Sequence, residues 1–81
     1  LMIYGVEDLS PITNWNVSNV TNMNAMFNNC TSLTNVSGIN NWNIAKVTNF
    51  NNMFYGCSTH PEFTKVTGTW DDNGTFTPTT K

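Results

Sequence analysis

The sequence predicts an α/β right-handed solenoid, with short parallel strands on one side and short helices on the other. It would hold about two and a half repeats and end in a C-terminal β-hairpin cap. Three observations predict this. The segment Ile12–Cys30 aligns without gaps on Ile39–Cys57, an offset of 27 residues. Inside each unit the apolar spacing changes from a mixed, strand-like run to a helical one. Near the end, Asn73-Gly74 stands between Trp70 and Phe76, a hairpin signal.

The repeat is the strongest of the three, because a fixed period of 20–50 residues is the mark of stacked architectures. Ile, Trp, Val, Met, Phe and Cys recur at matching places, and substitutions within the pattern keep their chemistry, such as Val17 for Ile44 and Met23 for Phe50. Met2–Val6 resembles Met53–Cys57, and Phe63, Val66 and Trp70 echo Val36, Ile39 and Trp42 with one extra residue. The chain therefore divides into a repeat solenoid over 1–69, with a partial repeat at 1–11 and full repeats at 12–38 and 39–65. A C-terminal cap and tail follow over 66–81.

Each element has a local reason. Met23, Met26, Phe27 and Cys30, and again Phe50, Met53, Phe54 and Cys57, fall at i, i+3, i+4 and i+7, which places them on one face of a short helix. Thr21 and Thr48 are placed to act as N-caps. Asn29 and Gly56 can supply the left-handed residue at the C-terminal end. Leu33–Ile39 mixes apolar and small polar residues as a short strand does, and Gly38 suits a bulge. Trp15 and Trp42 anchor the turn out of the strand. Stacked units bury a continuous strip that no unit can bury alone, with strands about 4.8 Å apart. The result is leucine-rich-repeat-like. Its expected core is Trp15, Val20, Met23, Met26, Phe27, Cys30 and Leu33, with Trp42, Val47, Phe50, Met53, Phe54 and Cys57.

Composition narrows the function. Three Lys and Arg together, five Asp and Glu and one His give a net charge of −2. There is no basic stripe for nucleic acid and no basic amphipathic segment for an anionic membrane. Three Trp, five Phe and two Tyr argue for a folded chain rather than a disordered one. No long apolar run predicts membrane insertion. The chain starts at Leu1 and reads as an excised fragment or processed product.

Trp15, Ser18, Val20, Met23, Met26, Phe27, Cys30 and Leu33, met again by Trp42, Val47, Met53, Phe54 and Cys57, resemble the BspA-type leucine-rich repeats. The likeness is to the Trp- and Met-rich short form of mycoplasma surface lipoproteins, and it covers about Met2 to Trp70. Ala45 in place of Ser, Phe50 in place of the first Met, and His60-Pro61 in place of Leu33-Thr34 depart from that pattern. The resemblance implies a secreted or cell-surface location and carries no catalytic residues.

Candidate sites are few. Cys30 and Cys57 occupy equivalent places, open to an inter-rung disulfide. Side chains in register leave Cβ atoms near ~5 Å rather than the preferred ~3.8 Å, so buried reduced thiols are the favoured reading. Asp71, Asp72 and Asn73 faintly suggest a calcium loop, but ligand spacing and a later Glu are lacking, and a type I′ hairpin turn fits better. His60 lacks a nucleophile and an orienting acid. Several Asn-x-Ser/Thr triplets match the glycosylation pattern, as an Asn- and Thr-rich chain does freely. Repeated Asn residues (Asn14 with Asn41, Asn16 with Asn43, Asn22 with Asn49) are expected to stack or to satisfy turn backbone; the alternative is a polar recognition surface.

The expectation is a non-catalytic binding or adhesion module, not an enzyme, with no cofactor and no metal. It would recognise a protein or glycan on another cell or matrix, with Thr34, Asn35 and Ser37 as contact candidates. The alternative is a self-assembling or spacer module, joining adjacent copies or repeats of its parent into a fibre, appendage or virion.

Overall fold

In the computed structural model, which describes residues 3–79, the chain winds as two irregular coils closed by a C-terminal hairpin. The coils carry almost no regular secondary structure. Two 3-10 helices of three residues each lie at Ser10–Ile12 and Ser37–Ile39. Two strands, β1 (Gly68–Trp70) and β2 (Phe76–Pro78), pair antiparallel with Trp70 opposite Phe76.

The expected leucine-rich-repeat-like solenoid of parallel strands and helices is therefore overturned. Among the described residues there is no α-helix, and β1 and β2 form the only sheet. Parallel pairing is confined to the isolated bridges Asp8–Asn35 and Asn22–Asn49.

The reason lies in where the amide groups of 23–30 point. Met26, Asn28 and Cys30 N–H donate three residues back, to Met23, Ala25 and Phe27 O. The alternate amides of Met23, Ala25, Phe27 and Asn29 donate sideways instead, to Asn49, Asn51, Met53 and Tyr55 O at 2.6–2.9 Å. An α-helix would need every one of them four residues back. Ala25 (φ 56°) and Asn29 (φ 62°) sit in the left-handed region, as do Asn52 (φ 56°) and Gly56 (φ 79°). Positive φ at the third residue of a turn makes turns of type II, so the segment is a run of overlapping turns. With no helix present, Thr21 and Thr48 cap nothing. Thr48 Oγ1 donates to Thr21 O of the preceding unit.

Apolar residues at 23, 26, 27 and 30 still face inward, since turns at this spacing return side chains to one side. Met23, Met26, Phe27, Cys30 and Leu33 are buried, as are Trp42, Val47, Phe50, Met53 and Phe54. Phe27 stacks on Phe54 with centroids 5.0 Å apart. Val20 and Cys57 are half-buried. Where a strand was expected, the chain passes the bridge at Asn35 and enters the 3-10 helix Ser37–Ile39. A Cβ on Gly38 would lie 2.6 Å from Thr13 Oγ1 and 3.0 Å from Ser10 Cα. Gly38 thus lets the two 3-10 helices approach, and marks no bulge.

Asn residues set the corners. Asn16, Asn22, Asn43 and Asn49 each accept, through Oδ1, the N–H two residues on. Such Asx turns substitute for a backbone turn.

The hairpin closes the far end. Phe54 N–H donates to Gly74 O, and Asn52 N–H to Thr75 Oγ1. Trp70 and Phe76 pack on Phe54 and Phe50, with centroids 5.3 and 5.1 Å apart, and Trp70 Nε1 donates to Pro61 O. The turn is not type I′, because only Gly74 has positive φ (68°). Gly74 N–H donates to Asp71 O, the three-residue return that Gly completes in the left-handed region.

Candidate functional site

The two coils are alike in sequence but differently covered, and this difference makes the site. Trp42 is buried, and its Nε1 donates across to Ile12 O of the preceding unit at 3.3 Å. Trp15 is its counterpart one unit earlier. It is 45% exposed, and its Nε1 has no acceptor among the described residues. Its placement in the core is corrected: Trp15 forms the rim of an open groove.

That groove has a volume of about 310 Å³ and is lined by Trp15, Asn16, Val17, Val20, Asn22, Met23 and Met26. None of these side chains ionises, so the site is apolar with two amides at its edge. Asn16 is fixed by accepting from both Ser18 N–H and Ser18 Oγ.

Two of the lining residues, Asn22 and Met23, belong to a backbone edge. Thr21 O accepts from Thr48 N–H at 2.7 Å and from Asn49 N–H at 3.3 Å, while Met23 N–H donates to Asn49 O at 2.8 Å. These groups face the second unit. Polar groups of successive residues in such a pairing alternate sides. Asn22 N–H and C=O therefore face away from the second unit, and neither has a partner among the described residues. Ile3 N–H donates to Met26 O on the same face.

Thr34, Asn35 and Ser37 are exposed on the surface. Asn35 bridges to Asp8 and accepts Leu9 N–H, and Ser37 Oγ donates to Asn35 Oδ1. None of the three lines the groove.

Cys30 and Cys57 are free thiols. Each donates its S–H to a carbonyl one coil back, Cys30 to Ile3 O at 3.2 Å and Cys57 to Phe27 O at 3.1 Å. Burial raises the Cys57 pKa above its ordinary value of 9.0; the Cys30 backbone opposes this, and the charge of the Cys30 thiolate adds to it. His60 stacks on Trp70 at 4.8 Å. Asp71 Oδ1 accepts from Asn73 and Thr75 N–H, so this carboxylate shapes the hairpin turn. Among the described residues no group of three or more His, Cys, Asp or Glu could hold a metal ion, and no helix is long and apolar enough to cross a membrane.

Of the lining residues, Val17 was not expected at a site, whereas Asn16 and Asn22 were expected chiefly to stack or to satisfy turn backbone. Nothing in its local pattern separates Val17 from Ile44, its counterpart in the second unit.

The family model described as "Mycoplasma protein of unknown function, DUF285" matches residues 2–76. No curated protein and no solved structure matches the chain.

Proposed function

We propose, for a chain that belongs to the Mycoplasma protein family of unknown function DUF285, a non-catalytic binding role on a secreted or cell-surface protein. The Trp15 groove is the binding face, and its ligand is a polypeptide. The observation that carries this reading is the coincidence of an uncharged apolar groove with a backbone donor and acceptor at Asn22 that are unpaired among the described residues. A polypeptide supplies both complements at once, main-chain groups for the edge and an apolar side chain for the pocket, as in strand addition. Trp15 is the natural anchor, because a half-exposed Trp gives large contact area with little rotamer entropy to lose.

The finer kinship, to the Trp- and Met-rich short repeats of BspA-type surface proteins, supports the surface location. Thr34, Asn35 and Ser37 are a weaker choice for the contact. They lie outside the groove, and the Asn35 backbone is already engaged with Asp8 and Leu9.

The test is binding of the dilute chain, below about 1 μM, to purified matrix and cell-surface proteins, beside Trp15→Ala. The expected result is saturable binding to at least one, weakened about tenfold or more in the variant. Saturable binding that Trp15→Ala leaves unchanged, or no binding across the panel, overturns the reading.

A further inference from the structure

We infer that the hairpin end carries a second binding site, a small aromatic cavity that takes a methylated ammonium cation. The cavity shares no lining residue with the Trp15 groove, and the inference does not rest on the reading of that groove.

The cavity has a volume of about 190 Å³, and Phe63, Trp70 and Phe76 form its aromatic wall. The ring centroids stand 5.8 Å apart for Phe63–Trp70, 5.1 Å for Phe63–Phe76 and 5.1 Å for Trp70–Phe76. A point over the middle of so small a triangle lies within about 6 Å of all three rings, the range in which an aromatic ring attracts a cation. Phe50 and Phe54 pack against these rings from the coil side, which leaves the other side to the cavity. Gly68 helps to keep it open, because a Cβ there would lie 2.6 Å from Phe76 Cζ.

Glu62 is the one ionisable residue in the lining. Its N–H donates to Asn40 Oδ1 at 2.9 Å, which holds its backbone, while its carboxylate has no partner among the described residues. An unpaired negative charge beside three aromatic rings selects a cation. The acceptors present select a methylated one. Pro61 O is already taken by Trp70 Nε1–H at 3.0 Å, so a primary ammonium entering here gives up hydrogen bonds to water for few in return. A quaternary ammonium has no N–H to satisfy and presents its methyl groups to the rings. The volume is below the roughly 300–1,000 Å³ of pockets that enclose drug-sized ligands, so the site fits a head group of the size of choline's.

The test titrates the unaltered chain with choline chloride at fixed ionic strength and follows the Trp70 Nε1–H resonance. A saturable shift is expected, with a dissociation constant on the order of 1 mM. The neutral isostere 3,3-dimethylbutan-1-ol and the ammonium ion should each bind about tenfold or more weakly, since one lacks the charge and the other the methyl groups. Glu62→Gln should weaken choline binding about threefold or more. The absence of a saturable shift up to about 100 mM, an isostere or ammonium ion that binds as tightly as choline, or an unchanged affinity in Glu62→Gln overturns the inference. The comparison of ligands is made on the unaltered chain, so it decides the matter even if Glu62→Gln fails to fold.

Discussion

Ala25 holds a conformation that an L-residue adopts at a cost. Its φ of 56° carries a left-handed penalty of about 1–2 kcal/mol, against a glycine entropy cost of roughly 0.5–1 kcal/mol. Ala25→Gly is therefore expected to stabilise the chain by about 0.5–1 kcal/mol, read as a rise of a few degrees in melting temperature. A fall would mean that the Ala25 methyl packs more tightly than its half-buried state implies. Cys57 offers a second residue-scale prediction. Its folded pKa is raised by burial, so folding favours the neutral thiol. The stabilisation is whole below the unfolded pKa and is lost as pH climbs past about 9 through the folded value. Alkylation at pH of about 8.5 should be slower than in the urea-unfolded chain, since only the thiolate reacts. Equal rates would contradict the S–H contact to Phe27 O.

At the scale of elements, the period was legible and the local structure was not. Spacings i, i+3, i+4 and i+7 serve a helix and a run of type II turns alike, and Ala25 is a residue that argues for helix. The signal against helix was the Asn spacing. Asn16, Asn22, Asn43 and Asn49 each stand two residues before the amide they accept, and Asx turns compete with helical backbone. The strand expected over Leu33–Ile39 failed for a related reason, as Gly38 allows a 3-10 helix to nest on the one before it. Gly38→Ala should cost about 1–3 kcal/mol, visible as a lowered denaturation midpoint, because its Cβ would meet Thr13 Oγ1 and the Ser10 backbone. The groove was half legible. The repeat aligns Trp15 with Trp42, but their exposure depends on what lies ahead of each, which identical local patterns cannot encode.

For the whole molecule, stability is concentrated at the hairpin end. Phe76 contacts Phe50, Phe63 and Trp70 at centroid distances of 5.1 Å in each case. Phe76→Ala should cost about 3–5 kcal/mol, a large share of the roughly 4–12 kcal/mol available to a chain of this length. Calorimetry should find the variant molten or nearly unfolded at room temperature, and a small shift would show that the cap is dispensable. The sideways amide bonds of the coils have a mechanical consequence. Met23, Ala25, Phe27 and Asn29 all lean on the same neighbour, so the seam between the coils is a zipper with one loose tooth-row at the Trp15 end. Drawn from that end, the bonds load one at a time and part at low force. Drawn along the seam they load together, so the same molecule is weak to peeling and strong to shear.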